Sequence, residues 1–193
     1  MQPNIKRMLA YSSVAQVSYI ILGIGMGTAM GLTAALLHVF NHGVMKAALF
    51  MALGAVAYRM GGTDLKHMNG LAKTMPLTFW AFVIGGLSLI GVPLTVGFVS
   101  KWHLVLAALE LGWWPVVGVI LLGSILALIY IGRVVEAGFF KEPEDSTRRE
   151  APAGLLIPLW ILVIANIWLG IDTRLTVDIA EAAAAQLMAG GVL

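Results

Sequence analysis

Cysteine is absent from the 193-residue chain, which excludes disulfides and thiolate chemistry and leaves the redox compartment open. Charge is nearly as scarce: 11% of residues are Asp, Glu, Lys or Arg, against 60% hydrophobic. A soluble domain of this length needs more polar surface than that, and with a mean hydropathy of +0.91 the chain reads as an integral membrane protein. Acidic residues are missing from the apolar runs except Glu110, at the edge of one. The net charge of +2 is spread over loop lysines and arginines rather than gathered into a patch, which argues against nucleic acid as a partner. Glycines lie in apolar runs and turns without a P-loop pattern, so neither a nucleotide nor another cofactor is expected. The first apolar run is long, carries Ser12, Ser13, Gln16 and Ser18, and leads to no small-x-small cleavage site. It reads as a retained helix rather than a signal peptide.

What is present is a series of apolar segments, read as about six transmembrane helices in an all-α polytopic fold. They run over residues 8–25, 32–58, 77–90, an interrupted segment reaching residue 111, 116–131 and 155–171. Gly23, Gly25, Gly27 and Gly31 read as a flexible connection between the first two, although Gly27 and Gly31 also fit the spacing of close helix contacts. Trp113 and Trp114 read as interface anchors, and the mixed-charge segment from residue 141 to 150 as a plain aqueous loop. Residues 1–171 would form the helical bundle. Residues 172–193 would be a C-terminal tail forming a short interfacial amphipathic helix, with Leu175, Ile179, Ala182, Ala183 and Leu187 near one face.

Two stretches carry chemistry. In the second segment, His38, His42 and Lys46 are spaced four apart and so stack on one helical face. Apolar residues flank them on both sides, where a lone charge costs at least about 2.5–3.5 kcal/mol. Such groups face a protein interior or a wet cavity, and because both side chain types exchange protons, a proton path is the functional reading. The alternative is an interfacial lysine with two histidines bonded to neighbouring helices. Zinc binding by His38 and His42 is disfavoured because the residue after His38 is Val39, not the glutamate of the zinc-protease motif. No metal site is expected.

The second stretch is Gly91-Val92-Pro93 followed by Gly97-Phe98-Val99-Ser100-Lys101-Trp102-His103. Proline removes a backbone donor and glycine loosens the chain, so a helix must break there. A lysine shortly beyond such a break, still within an apolar run, marks a discontinuous helix of the kind that lines ion pathways. The alternative is that Lys101 snorkels to the membrane surface.

Taken together, residues 9–19, the His38-x-x-x-His42-x-x-x-Lys46 ladder with Ala47, Leu49 and Phe50, and the Gly97-to-Lys101 stretch resemble a known family. It comprises the proton-translocating membrane subunits shared by Mrp-type cation/proton antiporters, respiratory complex I and membrane-bound hydrogenases, with Phe-Val-Ser-Lys-Trp leaning toward the D-type Mrp subunits. The resemblance implies about fourteen spans in two inverted five-helix repeats, of which this chain matches the second repeat plus one helix. It implies a proton pathway through Lys46 as the central lysine and Lys101 as the lysine of the broken helix. His38 and His42 lie beside the former, and His103 near the pathway outside the core motif. Implied partners are protons, sodium in the antiporter case, the lipid bilayer and other membrane subunits, including a chain carrying the first repeat. The implied location is a bacterial-type inner (plasma) membrane. A redox-driven complex I-like or hydrogenase arm and a non-conducting scaffold are the competing functions. No covalent chemistry of its own is expected.

Overall fold

The computed structural model describes residues 2–143, 147 and 150–190. Apart from an isolated bridge between Asn4 and Asp64, regular structure among these residues is helical: α1 (Ile5–Gly25), α2 (Ala29–Met60), a 3-10 turn (Leu65–Met68), α3 (Leu71–Thr74), α4 (Pro76–Ile90), α5 (Val96–Glu110), α6 (Trp114–Phe140), α7 (Ala153–Ile171) and α8 (Arg174–Ala189). Helices α1, α2, α6 and α7 are each long and apolar enough to cross a membrane. At 15 residues each, α4 and α5 are about 22 Å long, short of the ~30 Å hydrocarbon layer.

The two short helices lie in series. Phe79 meets Gly138 and Gly86 meets Ile131, while Lys101 meets Ser124. Positions on α6 therefore fall as those on α4 and then α5 rise. The same order holds on α2, where Leu49 faces Gly85, Asn41 faces Val96 and His38 faces Ser100. Helices α4 and α5 are thus one discontinuous helix running antiparallel to both neighbours, and all six apolar segments of the sequence are helical.

Helix ends follow local chemistry. Asn4 caps α1 by accepting from the Arg7 backbone N–H at 3.1 Å. Its own Nδ2 ties the cap to Thr63 and Asp64 beyond α2. Thr28 caps α2, entered through Gly27 at φ 63°. That glycine is a connector, as expected, but Gly23 and Gly31 are not: a Cβ on either would collide with the other's carbonyl oxygen at 2.6 Å. The missing side chains let α1 and α2 touch backbone to backbone.

The segment from 141 to 150 is more than an aqueous loop, although residues 144–146, 148 and 149 lie outside the described residues. Helix α4 starts at Pro76 with no side-chain cap of its own. Glu150 supplies one, accepting from the Leu77 N–H at 2.8 Å and from the Thr78 hydroxyl at 2.5 Å, where a carboxylate also meets the positive end of the helix dipole. Arg59 donates to the Glu150 carbonyl at 2.9 Å, joining the end of α2 to the starts of α4 and α7.

Helix α7 follows α4 from the Glu150 corner to the level of Thr95, against which Gly170 packs. Helix α8 then continues along α2 toward its first turn. Thr176 and Ile179 share a groove with Leu36 and Phe40, and Glu181 and Ala185 share a cleft with Ala29 and Thr33. It buries Ala180 and Ala184 and leaves Leu175, Ile179 and Leu187 exposed. Asp172 and Arg174 form an ion pair at 2.8 Å at the α7–α8 junction.

Glu150→Ala is expected to lower the thermal midpoint in detergent by the equivalent of a lost helix cap, about 1 kcal/mol. Glu150→Gln, which keeps one acceptor, should lose less. Size-exclusion profiles after graded heating check both.

Candidate functional site: two buried lysines and a helix break

Lys46 and Lys101 are 6% and 5% exposed, and among the described residues none of the buried ones is acidic. Each ammonium is met by neutral oxygens instead. Lys46 donates to the Leu9 carbonyl of α1 at 2.8 Å and to the Ser12 hydroxyl, which itself donates to Leu9 at 2.9 Å. Its ammonium also lies 6.0 Å from the ring centroid of Phe50, one turn on.

Lys101 donates to the carbonyls of Leu89 and Ile90 at 2.8 and 3.0 Å and to Ser124 of α6 at 3.3 Å. Those two carbonyls end α4. In an unbroken helix they would accept from backbone N–H groups four residues on; the interruption frees them at the negative end of the helix dipole. Three local features build the receptor. Gly91 turns the chain at φ 93°, and a Cβ there would stand 3.0 Å from Lys101 Cδ. Leu94 is held at φ 72°, a conformation costly for a side chain with a Cβ. Gly97 abuts the Ser88 carbonyl with no room for a Cβ, and its N–H donates to Ser88 Oγ at 3.1 Å. Gly91 and Pro93 lie between α4 and α5, and Gly97 lies in the first turn of α5.

The histidine ladder spans the space between the lysines. His38 and His42 stack with ring centroids 6.1 Å apart and planes 3° apart. His38 Nδ1 pairs with Ser100 Oγ at 2.8 Å, on the residue preceding Lys101, and its ring stands edge-on to Tyr19 at 5.6 Å. Tyr19 in turn lies under the Lys101 ammonium at 5.7 Å. Nε2 of both histidines is buried without a hydrogen-bonding partner among the described residues. His103 stands apart: its Nδ1 lies 2.8 Å from the Val99 carbonyl on its own helix, and the ring lines a different cleft with Met30, Leu106 and Glu181.

Sequence reasoning missed Ser124, a lone hydroxyl in an apolar run, and gave Ser12, Gln16 and Tyr19 of α1 no separate role. They form one stripe on α1 and line a cleft of about 320 Å³ between α1 and α6 with Tyr11 and Tyr130. Chemically, the set can hold and pass protons: two ammonium donors, two imidazoles and hydroxyls that donate and accept.

Buried titratable side chains beside an interrupted helix, inside an apolar helical bundle, mark a polytopic membrane protein with a polar interior. The chain belongs to the NADH:quinone oxidoreductase/Mrp antiporter transmembrane family, whose profile matches residues 1–127. It is 42% identical over 184 residues to the NADH-quinone oxidoreductase subunit N of Desulforudis audaxviator, covering 88% of this chain and 37% of that protein. It is 36% identical to the D subunit of the Na(+)/H(+) antiporter of Alkalihalophilus pseudofirmus, covering 88% of this chain and 35% of that one. Among solved structures it resembles a chain of the Mrp complex from Dietzia (TM-score 0.86, 30% identity, 93% of this chain and 42% of that chain). It also resembles a chain of the membrane-bound sulfane sulfur reductase, an archaeal respiratory membrane complex (TM-score 0.87, 35% identity, 95% and 37%). The chain therefore spans little more than a third of the curated relatives it matches.

Gly97→Ala is expected to push α4 and α5 apart and reduce the yield of folded protein several-fold, because its Cβ would meet backbone. Gly118→Ala, with nothing within 4 Å of a Cβ, should leave the yield unchanged. Fluorescence-detected size exclusion of tagged variants compares the two.

Proposed function

We propose that this chain translocates protons as part of a multi-subunit cation/proton antiporter. The carrying observation is that Lys101 sits on the freed carbonyls of a helix break while a histidine ladder runs from it toward Lys46. A proton reaching Lys46 passes through His42 and His38, with ordered water bridging the gaps, to Ser100 and Lys101. Like charges in a low-dielectric interior repel, so a proton arriving at one lysine favours release from the other. His103, on a separate cleft, joins the path only at its outer end. The chain performs no covalent chemistry.

The full transporter would include other membrane subunits and a chain bearing the first repeat, with sodium as counter-ion, in a bacterial-type plasma membrane. Residues 172–193 would be the C-terminal tail at its edge, with α8 laid along α2. The 42% identity to a NADH-quinone oxidoreductase subunit favours a second reading, in which redox energy drives the same pathway.

The test is proton flux in proteoliposomes containing the complex purified from its native membrane. Lys46→Ala and Lys101→Ala should each lower flux at least about tenfold, some 1.4 kcal/mol of barrier, while the complex still assembles. A scaffold would assemble and support unchanged flux. Dependence of flux on sodium, or on an added electron donor, separates the two driving forces.

A further inference from the structure

Helix α7 places an asparagine where an apolar residue is expected. Its buried residues are Leu159, Val163 and Asn166, and its exposed stripe is Ile157, Ile161, Ile164, Trp168 and Ile171. Asn166 is 0% exposed, and neither its Oδ1 nor its Nδ2 has a hydrogen-bonding partner among the described residues. An unpaired carboxamide in an apolar interior is strongly unfavourable, and at membrane depth bulk water cannot compensate for it.

The neighbouring positions say what that face of α7 packs against. Four residues on, and so on the same face, a Cβ at Gly170 would meet the Thr95 backbone at 2.5 Å and the Leu94 carbonyl at 2.7 Å. That face of α7 therefore lies against the break between α4 and α5, with Asn166 one turn along it. From the other side, Asn41 of α2 donates through Nδ2 to the Val96 carbonyl at 2.8 Å, in the first turn of α5. Asn41 is 1% exposed, and its Oδ1 is also without a partner. Two carboxamides thus flank one break, together offering two acceptors and one donor unspent.

A guest satisfying all three must both donate and accept. A bare cation would leave Nδ2 unpaired, and an anion would face two carboxamide oxygens. Water meets both requirements and is the usual occupant of small buried polar sites.

We propose that the helix break carries a buried hydration site organised by Asn166 and Asn41, and that Asn166 is a positioning residue holding water beside the carbonyls that seat Lys101. Its mechanistic part rests on the proton-pathway reading; the hydration itself does not. The site gives Lys101 an exchange partner on the α7 side of the break, opposite Ser124. Asn166 lies beyond residue 127, outside the portion that the family profile matches.

The absence of cysteine makes the test direct. In the complex in its native membrane, N166C is expected to react with a small charged methanethiosulfonate reagent about tenfold faster than V163C, its equally buried neighbour on the same stripe. Equal, negligible labelling of the two would overturn the hydration site. If N166C does not assemble, flux decides: N166L should fall about fivefold or more and N166S, which keeps a donor and an acceptor, stay within about twofold. Equal flux in N166L and N166S would overturn the proposal. A positioning role also predicts that N166L shifts the pH profile of flux. Unchanged flux in Lys101→Ala with fast N166C labelling would sink the proton pathway and leave the hydration site standing.

Discussion

Two ammonium groups are buried in an apolar bundle in which, among the described residues, none of the buried ones is acidic, and most of the architecture answers that constraint. A buried charge without a counter-charge must be met by dipoles. The available dipoles are hydroxyls and backbone carbonyls, and carbonyls inside a helix are already committed. Lys46 is met by sharing one, since the Leu9 carbonyl serves Lys46, Ser12 and Ser13 together. Lys101 is met by ending a helix early, so that its last carbonyls stand free.

That second solution demands close contacts elsewhere. A broken helix is stable in a membrane only if neighbours cover its exposed backbone, and here the neighbours approach through positions with no side chain. Gly97 lets the first turn of α5 press on Ser88, Gly170 brings α7 onto Thr95, and Gly85 and Gly86 seat α4 against Leu49 and Ile131. The strained backbone at Leu94 persists because these contacts leave the chain no alternative.

The sequence carried the ladder and the break plainly, because both are local. Residues four apart on a helix must stack, and Gly-x-Pro inside an apolar run must interrupt it. What it hid was relational. Glu150 was unreadable as a cap because its partners lie more than seventy residues away. Gly23 and Gly31 looked like a loose connector, since spacing cannot tell a hinge from a contact until the facing helix is known. The apolar segment read as ending at residue 131, yet α6 runs on to Phe140: the edge of an apolar run is not the end of a helix. His103 stood close to Lys101 in sequence but turns toward Val99 and another cleft. Asn166 passed as one polar letter in an apolar word.

The same lack of buried carboxylates among the described residues bears on what such an interior could accommodate. A hydrated metal cation approaching the ladder would meet the two ammonium groups, of its own sign, with no carboxylate among the buried described residues to replace its lost water. A proton needs no such vacancy, because it is handed from base to base and the particle that arrives need not be the one that leaves. The electrostatics that make this interior expensive to build therefore also set the cost for any ion that would have to enter it with its charge and its hydration shell intact.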